Sequence, residues 1–167
     1  MANNFLKSQG IAVGQSLLEE DSEEMIKDIY ALAKKTDCEI HLPIDVVLDD
    51  EQSLSIDRLS DQNQFSILDL SNHSIEVLEK LVQRSEIVLW NGPMGMIEDP
   101  RFAKGSSTLA HLLARSSCDV VIGGGDTLLA TNIAGVSFDD YHFVSTAGGA
   151  FLEALEDKEL PGIIALQ

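Results

Sequence analysis

"VVIGGGDT", residues 120–127, runs from β-branched residues into three consecutive glycines and an Asp-Thr pair. β-Branched residues suit strands, whereas glycine loses the most conformational freedom on folding. A triple glycine at a strand's end therefore points to a positive φ or to an unusually close approach to the backbone. The following "DTLLATNIAG" (126–135) reads as a helix closed by Gly135, so the stretch is strand, glycine turn and helix. The rhythm repeats on both sides. "EIVLW" (86–90) leads through "NGPMG" to the helix "STLAHLLARSS" (107–117), and "YHFVST" (141–146) leads into "AGGA" (147–150). Upstream, "NHSIEVLEKLVQR" (72–84) is a helix with Ile75, Leu78 and Val82 inward. Helices alternating with short apolar strands predict an α/β fold: three αβα layers around a mainly parallel, Rossmann-like sheet covered on both faces.

The N-terminal part is less regular. "MANNFLKSQG" (1–10) reads as a short helix. Asp21 or Ser22 caps a second helix, "SEEMIKDIYALAKK" (22–35), whose first-turn Glu23 and Glu24 and last-turn Lys34 and Lys35 suit the helix dipole. Met25, Ile29 and Leu32, spaced i, i+4, i+7, form its expected buried stripe. "CEIHLP" (38–43) is expected as a strand and "DVVL" (45–48) as a second extended segment. The acidic and polar residues 49–66 suggest a surface excursion or edge ribbon.

With 167 residues and no linker, low-complexity segment or repeat, the simplest organisation is one domain, residues 1–167. Aromatic residues make up 5% of the chain, so the core should be aliphatic. A net charge of −17 argues against nucleic acid or an anionic membrane as partner, since both require a basic face. No apolar run has the length of a membrane span, and the N-terminus lacks a signal-peptide pattern. Cys38 and Cys118 lack metal-ligand spacing and read as free cytosolic thiols. The expected setting is cytoplasmic.

In a parallel sheet all strand C-termini share one edge, and ligands of open α/β sheets bind outside it. The turns "VLWNGPMG", "VVIGGGDT" and "FVSTAGGA" should therefore converge on one crevice. Gly123, Gly124 and Gly125 would let an anion's oxygens reach the free N–H groups that open the next helix. A tight turn with no ligand explains them equally well. Asp126 either caps that helix or reaches a magnesium ion shared with phosphates, and Thr127 either donates its hydroxyl to a phosphate or starts the helix. Asn91 can hydrogen-bond across its turn, which Gly92 and Pro93 shape. Met94 and Met96 offer apolar surface for a base or fill the core. Glu98 is a candidate for ribose hydroxyls, or a solvated surface glutamate. The two common nucleotide fingerprints are absent, and the four scattered histidines fit core or surface positions better than catalysis.

"VLWNGPMGMIEDPRFAKGSSTLA" (88–110), "VVIGGGDT" and "STAGGAFLEALEDKELPGIIAL" (145–166) resemble corresponding blocks of phosphoglycerate kinase. "MANNFLKSQGIAVGQSLLEED" and "EIHLPIDVVLDD" fall in the order of that family's nucleotide domain, so the resemblance spans the chain. It implies phosphoryl transfer between 1,3-bisphosphoglycerate and ADP, giving 3-phosphoglycerate and ATP with Mg2+, in glycolysis. By position, Glu98 would hold the ribose, and Gly123, Gly124, Gly125, Asp126 and Thr127 the ADP or ATP phosphates, with Asp126 at the metal. Asn91, Pro93 and Met94 would line the nucleotide site, Leu17 would pack on adenine, and Gly148 and Gly149 would face the phosphoryl group in flight.

Several positions depart from the family's pattern. Ala147 stands where a third glycine is usual, Phe151 replaces a small polar residue, and "LDLSNHS" lacks a Gly-Pro. The resemblance also implies that the N-terminal substrate domain, its phosphate-binding lysines and the first strands of the nucleotide domain lie outside this chain. Arg101, Lys104 and Lys158 are the basic residues near the motifs. The expectation is a chain that binds Mg-ADP or Mg-ATP, is inactive alone, and meets 3-phosphoglycerate or 1,3-bisphosphoglycerate only with the remainder present. "EIHLP" and "EIVLW" are expected to pair directly, or a second copy of the chain to cover the exposed sheet edge by self-association. The competing readings are a non-catalytic nucleotide-binding α/β module and a structural domain with an empty crevice.

Overall fold

The computed structural model describes residues 1–60, 64–156 and 158–166. Where the sequence reads as one domain, the fold divides into two compact units, residues 1–74 and 75–167.

In the first unit, α1 (Ala2–Ser8) packs against α2 (Glu23–Thr36). Phe5 meets Tyr30 edge to face at 5.5 Å, and Asn4 Nδ2 donates to Ser22 Oγ and to the Glu19 carbonyl. These contacts turn α2 by one residue from the expected stripe. Ile26 and Ala33 are buried, whereas Met25 and Leu32 are each 59% exposed. Rows 25-29-32 and 26-30-33 have the same helical spacing, so periodicity could not choose between them; the Phe5 ring did. Ser22 is the N-cap residue, without a side-chain capping bond.

Strands β1 (Asp45–Leu48), β2 (Ser53–Ser55) and β3 (Ile67–Leu70) form an antiparallel sheet in the order β2-β1-β3. The expected edge ribbon is thus real at β2, with residues 61–63 of that stretch outside the described residues. Val46, Leu48 and Phe65 form its core. One expectation changes: "CEIHLP" forms no strand, while Ile67–Leu70, overlapping the stretch where the resemblance implies a loop, forms β3. A strand exists only in a ladder: Val46 of β1 offers Leu70 a partner, while residues 38–43 pair with no strand among the described residues and end in Pro43, which has no N–H to give.

Helix α3 (Asn72–Gln83) starts at the end of this unit and is capped from a distance. The Asp45 carboxylate accepts from Ser74 N at 2.7 Å and from His73 N and Nδ1 at 3.1 Å each. Ser74 Oγ donates to the Asp45 carbonyl and accepts from the amides of Ile44 and Asp45. Burial pushes the Asp45 pKa up, but the bonds from Ser74 and His73 outweigh it, and the net shift is downward. A depressed carboxyl contributes stability that is present above its unfolded value and lost as pH falls through the lower folded value. Asp45→Asn is therefore expected to cost about 1.5–3 kcal/mol at neutral pH. In paired denaturations the deficit should shrink below about pH 4, and a deficit unchanged down to pH 2 would contradict this account.

In the second unit, β4 (Ile87–Asn91), α4 (Lys104–Ala114), β5 (Asp119–Gly123), α5 (Gly125–Ile133) and β6 (Phe143–Ser145) form a parallel sheet in the order β4-β5-β6. Two short helices follow, α6 (Gly149–Leu155) and α7 (Pro161–Ile164). The α/β architecture and parallel strands are as expected. The core joins Trp90, Val120 and Ile122 to Leu109, Ala110 and Leu113 of α4 and Ala130 of α5, with Val82 of α3. It is largely aliphatic, as the composition implies.

Helices α4 and α5 pack on one face of the sheet, because parallel crossovers are right-handed almost without exception and successive crossovers in one direction share a face. The opposite face carries Ile87, Leu89 and Phe143 at 67%, 45% and 57% exposed, and Phe151 of α6 meets it at Gly123. β4 has β5 as its partner and lies at the sheet edge, so the direct pairing expected between "EIHLP" and "EIVLW" is not made.

Candidate functional site

Parallel register sets the site. Asn91, Gly123 and Ser145, the last residues of β4, β5 and β6, pair in one row. The three glycine-containing turns consequently leave the sheet at one edge, as the strand pattern predicts.

The three glycines of the middle turn have three different physical reasons. A β-carbon on Gly123 would lie 2.5 Å from Cδ1 and 2.6 Å from Cε1 of Phe151. Gly124 sits at φ +93°, a conformation that L side chains rarely adopt, and its β-carbon would also come within 2.9 Å of Asn91 Nδ2. Gly125 opens α5 with nothing within 4 Å of a β-carbon position. Of the three, Gly125 leaves open space beside the helix's first amides. An oxyanion can reach those amides there.

The first two turns brace each other. Asn91 Nδ2 donates to the Gly123 carbonyl at 2.9 Å, and Gly92 N donates to Thr127 Oγ1 at 2.7 Å. Trp90 Nε1 donates to the Gly92 carbonyl at 2.7 Å, and Met94 N to Ser106 Oγ at 2.9 Å. Thr127 is fully buried. Its hydroxyl is thus part of the brace between turns. Asp126 is exposed in the first turn of α5, and Glu98 is exposed beyond β4. Pro93 and Met94 are half-buried, and Met94 packs on the core. Gly148, at φ +57°, precedes α6, and Gly149 is exposed. Leu17 belongs to the first unit and is 89% exposed.

Two nearby cations are already engaged. Arg101 holds Asp99, with Nη2 to Oδ2 at 2.6 Å, and lies over the Phe102 ring at 5.0 Å. The guanidinium's hydrogen bonds hold the Asp99 carboxyl below its ordinary range. Lys158 pairs with Glu156 at 2.5 Å. Among the described residues no cluster of three His, Cys, Asp or Glu side chains forms a self-sufficient metal cage. A lone exposed carboxylate suits Mg2+ instead, which binds through one or two carboxylates together with phosphate oxygens. Asp126 fits that pattern.

Sequence reasoning overlooked the contact of Phe151 with Gly123. The one signal in the sequence was Phe151 itself, an aromatic residue where the resemblance implies a small polar one.

Glycine turns in register at the carboxyl edge of a parallel sheet, one of them opening a helix, define an open parallel α/β protein, a class whose ligands sit outside that edge. The family model described as phosphoglycerate kinase matches residues 1–158. A phosphoglycerate kinase of Zymomonas mobilis is 42% identical across 100% of this chain and 44% of its own length. That of Aquifex aeolicus is 39% identical over 99% of this chain and 43% of its own. The solved structure of phosphoglycerate kinase from Coxiella burnetii superposes with a TM-score of 0.90 at 36% identity, over 99% of this chain and 44% of that one. The chain belongs to the phosphoglycerate kinase family. It corresponds to the C-terminal, nucleotide-binding part, and spans less than half the length of these relatives.

Proposed function

We propose that this chain supplies the Mg-ADP and Mg-ATP site of phosphoglycerate kinase chemistry, the glycolytic phosphoryl transfer between 1,3-bisphosphoglycerate and ADP. The observation that carries this reading is the row Asn91, Gly123 and Ser145, with open space at Gly125 where α5 begins. The amides of Gly124, Gly125, Asp126 and Thr127 donate to phosphate oxygens, and the α5 dipole favours their charge. Asp126 holds Mg2+ together with those oxygens; the bound ion neutralises phosphate charge. Glu98 accepts from the ribose hydroxyls, and Asn91, Pro93 and Met94 line the nucleotide. Gly148 and Gly149 offer side-chain-free backbone to the transferring group.

Acceptor binding belongs to the part of the family that this chain does not span, so 3-phosphoglycerate or 1,3-bisphosphoglycerate binds only with that part supplied. The exposed edge at β4 and the apolar face beside it suit self-association of the isolated chain. Two free thiols suit a cytoplasmic setting.

Binding is expected to be weak, because Arg101 and Lys158 are held by carboxylates within a chain of net charge −17. The test is a titration of isotope-labelled chain with Mg-ADP, followed by amide chemical shifts. Changes should concentrate at residues 91–98, 123–127 and 148–149, and Asp126→Ala should remove the magnesium dependence. Shifts scattered elsewhere, or none at millimolar nucleotide, would overturn the reading.

A further inference from the structure

Helix α6 raises a question of its own. It has seven residues and buries none of them; Leu152 and Leu155 are 42% and 56% exposed. Helices this short are not stable by themselves in water, so tertiary contact must hold it. The contact is visible at the opposite end of the glycine turn. Phe151 is half-buried, and its ring fills the place where a side chain on Gly123 would sit, with Cδ1, Cε1 and Cγ at 2.5, 2.6 and 3.2 Å from that β-carbon position. Gly123 is itself fixed in the sheet, paired with Asn91 and Ser145 and bonded through its carbonyl to Asn91 Nδ2.

We infer that Phe151 is a positioning residue: its ring, seated on Gly123, anchors α6 and thereby holds the Gly148–Gly149 backbone beside the turn that opens α5. This rests on the functional reading above for what the two turns do, but the anchoring is a property of the chain itself. The ring covers Gly123 and leaves Gly125 open, so it sits beside the anion-accessible amides without filling them. It also gives the first glycine a role separate from ligand binding. An aromatic ring packed on bare backbone gains contact area that any β-carbon would forfeit. Phe151 and Gly123 therefore act as one unit.

The test uses the intact labelled chain with Phe151→Ala, Phe151→Tyr, Gly123→Ala and the double variant Gly123→Ala/Phe151→Ala. Without ligand, the Gly123 α-protons should show an upfield ring-current shift that Phe151→Ala abolishes and Phe151→Tyr restores. Amide exchange at residues 152–156 should quicken several-fold in Phe151→Ala and return toward the parent rate in Phe151→Tyr. Gly123→Ala should have the same effect when Phe151 is present and little further effect when it is already alanine. With Mg-ADP as probe, Gly148 and Gly149 amides should respond in the parent and Phe151→Tyr, while in Phe151→Ala only the Gly124–Thr127 response survives. An unshifted Gly123, unchanged α6 exchange in Phe151→Ala, or an undiminished Gly148–Gly149 response in that variant would overturn the inference. Absence of any response to Mg-ADP in all four variants and the parent would refute the nucleotide reading instead, and the ligand-free measurements would still decide the anchoring.

Discussion

In a coupled assay the purified chain is expected to show no phosphoglycerate kinase turnover, and Asp126→Ala should leave the background rate where it was. Phosphoryl transfer is catalysed mainly by positioning and by charge aimed at the transferring group. The chain spans 44% of its Zymomonas relative, and the resemblance puts the acceptor site and the phosphate-binding lysines in the portion not spanned. Loss of proximity removes the largest entropic advantage. Loss of one electrostatic stabiliser alone costs about 100- to 1,000-fold. Two of the cations close to the motifs in sequence are already engaged, Arg101 by Asp99 and Lys158 by Glu156. A rate approaching that of a complete kinase, and abolished by Asp126→Ala, would show that the chain needs no second part.

The largest effect on stability is expected at Trp90. It is 3% exposed in the core of the parallel sheet, and its Nε1 donates to the Gly92 carbonyl at 2.7 Å. Trp90→Ala should cost about 3–5 kcal/mol, through lost burial and the cavity left behind. That is a large share of the total of about 5–15 kcal/mol typical of folded proteins. Trp90→Phe keeps most of the packing and removes the hydrogen bond, so its penalty should be smaller. Because Gly92 also donates to Thr127, both substitutions should loosen the brace between the first two turns. Denaturant unfolding followed by circular dichroism reads the cost, since the variants lack the only tryptophan. A penalty for Trp90→Ala within the roughly 0.5 kcal/mol of an ordinary surface substitution would contradict the packing described.

Much of the second unit was legible because its signals are local. Continuous apolar strands, amphipathic helices and glycine turns at 91–95, 123–125 and 148–149 fix the element types over short spans. Parallel connection then brings the turns to one edge without further information. The first unit offered no such rhythm. Met25-Ile29-Leu32 and Ile26-Tyr30-Ala33 are equally good helical stripes, and the Phe5–Tyr30 contact selected the second. Residues 38–43 have a strand's composition but lack a ladder, whereas 67–70 became a strand because β1 was there to pair with it.

The candidate site divides in the same way. The sequence by itself determined the family, the order of the turns and which residue types stand at the strand ends. Tertiary structure decided what each does: Asp45 caps a helix that begins 27 positions later at Asn72, Thr127 spends its hydroxyl on Gly92, and Gly123 is bare to admit Phe151. Each of these depends on a partner distant along the chain. Short-range periodicity records which face a residue can present, but only the folded neighbour determines what meets it there.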